Sequence, residues 1–187
     1  MSALADADCY DRRMSLQEEI ALRLCAPGDE EALALVGAAT FLETFAGLLT
    51  GPDILTHCRV QHGAAQYAAW LENPDYKLCL AELNRAPVGF AVLSPPDLPV
   101  AVTNDDMELK RIYLLHRFQG GGLGRRLLEW SVAQARSLRK RRLLLGVKAD
   151  NTGALAFYDR VGFVRIGERK FLVGAMLCDD YIFSLSL

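Results

Sequence analysis

The chain has 187 residues, of which 51% are apolar and 24% charged, with a formal net charge of -2. This suits one globular domain with its own core and excludes disordered, collagen-like and low-complexity chains. The overall charge also excludes a protein that binds nucleic acid by bulk charge alone.

Residues 1–17 read as a loose, flexible N-terminal extension, and residues 18–187 as one domain. Met14-Ser15 offers an alternative start. Glu19 to Ala26 reads as a first strand, ended by Pro27-Gly28. Asp29 is placed to cap a helix, with Glu30 and Glu31 in its first turn. The helix carries apolar residues at Leu33, Val36 and Ala39 and ends near Phe45, before Gly47 and Gly51-Pro52. A second helix is expected over about Asp53 to Leu71, stopping before Asn73-Pro74.

Lys77–Leu83 and Pro87–Leu93 read as a hairpin around a turn at Asn84-Arg85-Ala86, followed by a proline-rich loop from Ser94 to Pro99. Met107–Leu115 is the next strand, and Gln119–Gly124 a glycine-rich turn. Leu123, Leu127, Ser131, Ala135 and Leu138 mark one face of a helix. Arg139–Arg142 forms its basic exit. Leu143–Val147 is a buried-type strand and Asn151–Arg160 a short helix. Phe163–Ile166 and Tyr181–Leu187 close the chain as strands, with Phe171–Val173 extending the first of them.

The charge is divided along the chain. Residues 1–94 hold 6 Lys and Arg against 13 Asp and Glu, whereas residues 95–187 hold 15 against 10. A basic half suits a polyanionic ligand and an acidic half a cationic one; both are also what solvated faces look like. No apolar run has the length of a membrane span, and the polar N-terminus is not a secretory signal. The five cysteines form no CxxC pair and read as reduced thiols of a cytoplasmic protein. His57, His62 and His116 make no metal-ligand cluster, so no metal is expected.

The turn Gln119-Gly120-Gly121-Gly122-Leu123-Gly124-Arg125-Arg126 follows a strand and opens a helix. Free amides at a helix N-terminus carry partial positive charge, and glycines let a ligand approach the backbone. Phosphate, and pyrophosphate in particular, is the ligand this arrangement suits. The P-loop pattern fails because Gly-Arg-Arg stands where Gly-Lys-Ser/Thr is needed. The dinucleotide pattern GxGxxG fails on its third glycine. The remaining pattern is Q-x-x-G-x-G.

That turn resembles the acetyl-CoA signature of the GCN5-related N-acetyltransferase superfamily. Asn151-x-x-Ala154-x-x-Phe157-Tyr158-x-x-x-Gly162-Phe163 resembles the second signature of the same superfamily, one helix and one strand downstream. The resemblance is sharp over Glu108–Phe163 and covers most of the chain. More narrowly, Thr40-Phe41, Thr44-Phe45, Glu108–Tyr113, Phe171, Gly174 and Asp180 resemble PaiA-type polyamine acetyltransferases, which act on spermidine and spermine. Ala175–Cys178 departs from that pattern.

The resemblance implies an α/β fold: a mixed, twisted central sheet flanked by helices, with its fourth and fifth strands splayed around pantetheine. It implies acetyl-CoA as co-substrate, a small-molecule amine as acceptor, and direct attack of the amine on the thioester. It is compatible with a homodimer. The residues it assigns to acetyl-CoA are Ile112, Tyr113, Leu114, Gln119, Gly120, Gly121, Gly122, Leu123, Gly124, Arg125, Asn151 and Phe157, with a backbone amide near Leu114 facing the developing oxyanion.

Tyr158 is the candidate general acid for the leaving thiolate; its alternative is a packed core aromatic. Glu108 is the candidate base, alone or through water; its alternative is a strand glutamate paired with Lys110 or Arg111. Strand alternation would put Glu108, Lys110 and Ile112 on one side. Asn151 holds pantetheine or caps the helix after it. The acceptor pocket is expected between the first two helices and the loop before the last strand, with Glu43, Asp53, Glu72, Asp179 and Asp180 as its acids. Other acceptors of the same chemistry are a protein N-terminus, a lysine, an aminoglycoside or an amino acid. A non-catalytic acetyl-CoA-binding module is the alternative from another class.

Overall fold

A seven-stranded sheet in the order β1-β2-β3-β4-β5-β7-β6 organises the molecule. The computed structural model describes residues 19–173 and 176–187, so the 1–17 extension, Cys9 and the departure at Ala175 lie outside the described residues. The strands are β1 (Ala21–Leu24), β2 (Lys77–Leu83), β3 (Ala86–Ser94), β4 (Asp106–Leu114), β5 (Arg142–Lys148), β6 (Val164–Val173) and β7 (Met176–Ser186). The helices are α1 (Glu30–Phe45), α2 (Gly51–Gln61), α3 (Ala64–Glu72), α4 (Leu123–Ser137) and α5 (Thr152–Arg160). Neighbouring strands are antiparallel except β4 and β5, which are parallel. The expected α/β fold with a mixed sheet is therefore observed.

The strands alternate side chains between two helical layers. Ala91, Leu93, Met107, Leu109, Leu143 and Leu145 pack with Leu123 and Leu127 of α4 and Tyr158 of α5. Leu78, Leu80, Phe90 and Val92 face the other way, onto Leu33 and Val36 of α1 and Tyr67 and Trp70 of α3. A third cluster joins Phe41 and Ile54 of the first two helices to Val173 and Cys178 of the β6–β7 hairpin.

Several expected elements are corrected. The single helix over Asp53–Leu71 is two helices, α2 and α3, broken at His62-Gly63, where Gly63 takes the extended conformation ahead of α3. Asp29 occupies the N-cap position of α1 without capping it: Arg23 and the Ala26 amide claim its carboxylate. Leu138 is 41% exposed and falls off the buried face of α4. The first strand is shorter than expected, whereas the two closing strands are longer and pair antiparallel with each other, from Val164 with Ser184 to Val173 with Met176. Charged and apolar residues mix on both faces of that hairpin, which hides its alternation in the sequence.

β4 also breaks simple alternation. Val92 pairs with Arg111 and Leu93 with Leu109, so Lys110 is an extra, bulged residue. Ile112 therefore does not share a side with Glu108, whereas Lys110 and Glu108 both reach Asp97. Glu108, Arg111 and Tyr113 face α1–α3, whereas Leu109, Ile112 and Leu114 belong to the cluster beneath α4 and α5.

Candidate active site

β4 and β5 pair at only three registers, Asp106 with Arg142, Met107 with Leu143 and Glu108 with Leu144. Beyond these the two strands part, although each remains paired along its outer edge. The inner edges of the opening thus carry backbone groups without a strand partner. Antiparallel bonding identifies them on β4. The Leu115 amide donates to Val88 O, so by alternation Tyr113 bonds toward β3, while Ile112 and Leu114 turn their N–H groups into the opening. Buried amides require partners. The amide groups of a pantetheine chain are of the right kind and reach.

The glycine turn closes the end of this opening. Gly122 has φ +93° and Gly120 φ +80°, a region that favours glycine. Gly122 is the N-cap of α4 and supplies no capping side chain, so the first amides of the helix are left for a ligand. Gln119 is fixed beside the turn by donating from Nε2 to Leu114 O at 3.2 Å. Gly120 and Gly121 are exposed. Leu123 is fully buried and anchors the helix through its side chain; only its backbone faces the turn.

The two arginines of the turn differ. Arg125 is exposed and pairs with Glu129 one helical turn on, whereas Arg126 donates to Ile20 O and is committed to the far side of α4. A groove of about 470 Å³ between α4 and α5 runs from this point, with Arg125, Arg136 and Arg160 in its walls. Those three cations suit the anionic end of a CoA. Arg139–Arg142 lies at the opposite end of α4, where Arg142 pairs with the buried Asp106.

Tyr158 stands on the α5 side of the opening, 7% exposed, in edge contact with Phe157 and Phe163. Burial pushes its phenol well up, with Tyr113 the next contributor, so the hydroxyl stays protonated and able to donate. The Asn151 side chain accepts from the Ala154 amide at 3.0 Å, which makes it the N-cap of α5.

Glu108 occupies the last paired register, at the closed end of the opening. It is 3% exposed and accepts from the Asp97 amide at 2.7 Å. Neither expected ion pair forms. Lys110 lies near Asp97, and Arg111 donates to Gln61 O and the Tyr67 hydroxyl while stacking over Trp70.

On the α1–α3 face, Tyr113 lines the opening; the residue as a whole is 45% exposed, yet its phenol is desolvated and pushed up. Asp180 of β7 and Arg169 of β6 lie opposite it, over Gly146 of β5. A Cβ at Gly146 would stand 2.9 Å from the Arg169 guanidinium and 3.2 Å from Asp180 Oδ2. A glycine inside the apolar run Leu143–Val147 was the one sequence signal of this close approach. Of the other expected acids, Glu43 accepts from the His116 amide, Asp53 from the Thr50 hydroxyl, and Asp179 pairs with Lys170. Glu72 ends α3 in solvent. Among the described residues, no three His, Cys, Asp or Glu side chains gather to hold a metal ion.

Comparison with known proteins bears on this geometry. Residues 48–163 match the profile of the acetyltransferase (GNAT) family. An uncharacterized N-acetyltransferase of Mycobacterium tuberculosis (strain ATCC 25618 / H37Rv) is 30% identical over 154 residues, spanning 82% of this chain and 95% of that protein. A mycothiol acetyltransferase of Amycolatopsis mediterranei is 30% identical over 155 residues, 80% of this chain but only 48% of that longer protein. The crystal structure of PaiA N-acetyltransferase from Thermoplasma acidophilum in complex with coenzyme A superposes with a TM-score of 0.72 at 20% identity, covering 90% of this chain and 99% of that one.

Proposed function

This chain belongs to the acetyltransferase (GNAT) family, and from that premise we propose that it moves the acetyl group of acetyl-CoA onto a primary amine seated between β4 and β5. One observation carries the proposal. Two parallel strands that pair at three registers and then part leave an opening lined by free amides, with an anion-binding turn at its end and a buried phenol beside it.

When bound, acetyl-CoA supplies an activated acetyl carbon and a thiol leaving group. The chain's own residues do the rest. The turn and the groove beside Arg125 take the phosphates. The inner edges of β4 and β5 hold the pantetheine arm. The Leu114 N–H faces the opening, where a donor lowers the energy of a developing oxyanion. Tyr158 donates the proton that the leaving sulfur needs. The amine arrives as an ammonium with a pKa of about 10 and must lose a proton before it attacks. Glu108, buried on the acceptor face of β4, is one carboxylate that would accept it, through water from its position at the closed end.

For the acceptor, spermidine and spermine are the narrower reading, resting on the PaiA-like segments of the sequence. A second reading is favoured by the side-chain environment. Phe41 stacks on Phe45 and His57 with centroids 4.4 and 3.9 Å apart, and this cluster meets Phe171 and Met176 of the hairpin. Such a wall suits an amine with an apolar body. A cytoplasmic setting accords with the free thiols of Cys25, Cys58, Cys79 and Cys178. The test is mass detection of acetylated product from spermidine, spermine, kanamycin, phenylethylamine and an N-terminal peptide. The proposal expects acetylation of at least one; the identity of that amine separates the two acceptor readings.

A further inference from the structure

Asp180 Oδ1 is buried and has no hydrogen-bond partner in the protein, the one such side-chain atom among the described residues. A buried carboxylate oxygen left unpaired is costly, so its occurrence calls for a missing partner. The rest of the side chain is firmly held. Asp180 is 4% exposed, and its Oδ2 accepts from Arg169 Nε and Nη2, both at 3.1 Å. One oxygen is thus spent on fixing the carboxylate and the other is left over.

The location is specific. Asp180 pairs in register with Lys148, next to Gly146, on the α1–α3 face of the sheet and on the β5 side of the opening. Tyr113 stands on the β4 side, close enough for the two groups to influence each other's ionisation. Tyr158, whose ionisation is also coupled to Tyr113, lies on the opposite face. A thioester lying in the opening therefore has a proton donor on one face and an unpaired carboxylate oxygen on the other. Glu108 shares the face of Asp180 but sits where the strands are still joined, with Oε2 taken by the Asp97 amide.

Resting on the acetyl-transfer reading above, we infer that Asp180 Oδ1 receives the acceptor amine as its ammonium and takes its first proton, with Tyr113 as the side chain that yields to admit it. The balance is complete. One ammonium proton passes to Oδ1 and frees the nitrogen lone pair. The C–N bond forms as the C–S bond breaks, and sulfur keeps the electron pair and takes the Tyr158 phenol proton. The second nitrogen proton returns to that phenolate, and Asp180 gives its proton to water.

The charged groups around Asp180 set its pH behaviour. Burial raises it above the usual carboxylate range. Arg169 from β6 and Lys148 from β5 oppose the rise, while Tyr113 on β4 and Cys178 on β7 are the weak acids nearby. A proton acceptor of that kind is lost as pH falls, which gives the rate an acid limb lying above that of an ordinary aspartate.

The experiment measures kcat/KM for an amine that the wild type acetylates, across pH, together with acetyl-CoA affinity by calorimetry. Asp180→Asn should lose about 100-fold or more and lose the limb set by the carboxylate, its rate following instead the neutral fraction of the amine up to a pH of about 10, with acetyl-CoA affinity unchanged. Asp180→Glu should restore the limb. Arg169→Gln breaks the ion pair but leaves the carboxylate, so its limb should persist and move to higher pH; this variant decides the matter if Asp180→Asn does not fold. An Asp180→Asn enzyme within about threefold of wild type with its limb intact overturns the inference. So does an Arg169→Gln enzyme without a limb, because the ion pair alone would then be at stake. Both results leave acetyl transfer standing, whereas a wild type that binds acetyl-CoA and acetylates no amine removes the reading and the inference together.

Discussion

Glu108 and Leu144 are the last residues across which β4 and β5 pair. Parallel strands normally continue in even, slanted registers. Here β5 is held along its outer edge by β7 over seven registers, from Arg142 to Lys148, so it follows that strand. β4 follows β3, and its bulge at Lys110 adds local twist just past Glu108. The two strands are therefore drawn apart by their outer partners, and the opening is built into the sheet before any ligand arrives.

The phenol of Tyr158 is expected to protonate the leaving sulfur. Tyr158→Phe keeps the ring contacts to Phe157 and Phe163 and removes only the hydroxyl. Turnover should fall by about 100-fold, with acetyl-CoA affinity little changed. Steady-state kinetics beside calorimetry checks this; wild-type turnover in the variant would return Tyr158 to the role of a packed aromatic.

Gly122 is needed for its dihedral rather than for space. A Cβ there would meet nothing within 4 Å, but φ is +93°. Gly122→Ala should cost about 1–2 kcal/mol of stability through strain alone. CoA affinity should weaken as the turn relaxes. Urea unfolding and calorimetry together test it, and an unstrained variant with full CoA affinity would contradict the turn's assignment.

Asn151 caps α5 through Ala154. Asn151→Ala should destabilise the protein by about 1 kcal/mol while leaving acetyl-CoA affinity nearly unchanged. Loss of affinity without loss of stability would instead make Asn151 a pantetheine contact.

Much of this was legible in sequence because it depends on local backbone chemistry. The Gln119–Gly124 turn, the α4 face at Leu123, Leu127, Ser131 and Ala135, and the exact span of β2 follow from glycine placement and periodicity. The two motif blocks supplied the splay of β4 and β5, which no residue pattern encodes. What stayed hidden depends on distant partners. The bulge at Lys110 arises from pairing with β3 and turns Ile112 away from Glu108's side. Asp180 could be named as an acid, but its open oxygen exists only because Arg169, eleven residues earlier on a neighbouring strand, takes the other one. The break at His62-Gly63 was masked by helix-forming residues on both sides.

His62 ties stability to pH. It is buried beside Arg111, and its Nδ1 lies 2.9 Å from the Tyr67 hydroxyl. Burial, then Arg111 and His57, lower its pKa from 6.5 to about 3. The unfolded chain binds this proton below pH 6.5 and the native chain does not, so stability must fall as pH drops through that window. The slope is about 1.4 kcal/mol per pH unit at full effect, with His57 adding in the same direction. The lowered carboxylates Asp29 and Asp106 add their own loss only near and below their ordinary value of 3.8. Denaturant unfolding at several pH values should show a shallower slope in His62→Gln; equal slopes would place the buried proton elsewhere.

The most direct test incubates the full chain with acetyl-CoA and the amine panel, and follows acetylated amine and free CoA by mass. Acetyl transfer in the β4–β5 opening requires the two products to appear in equal amount for at least one amine and to fall together by about 100-fold in Tyr158→Phe. Tight acetyl-CoA binding with no acetylated product from any amine would contradict catalysis and leave an acetyl-CoA-binding module.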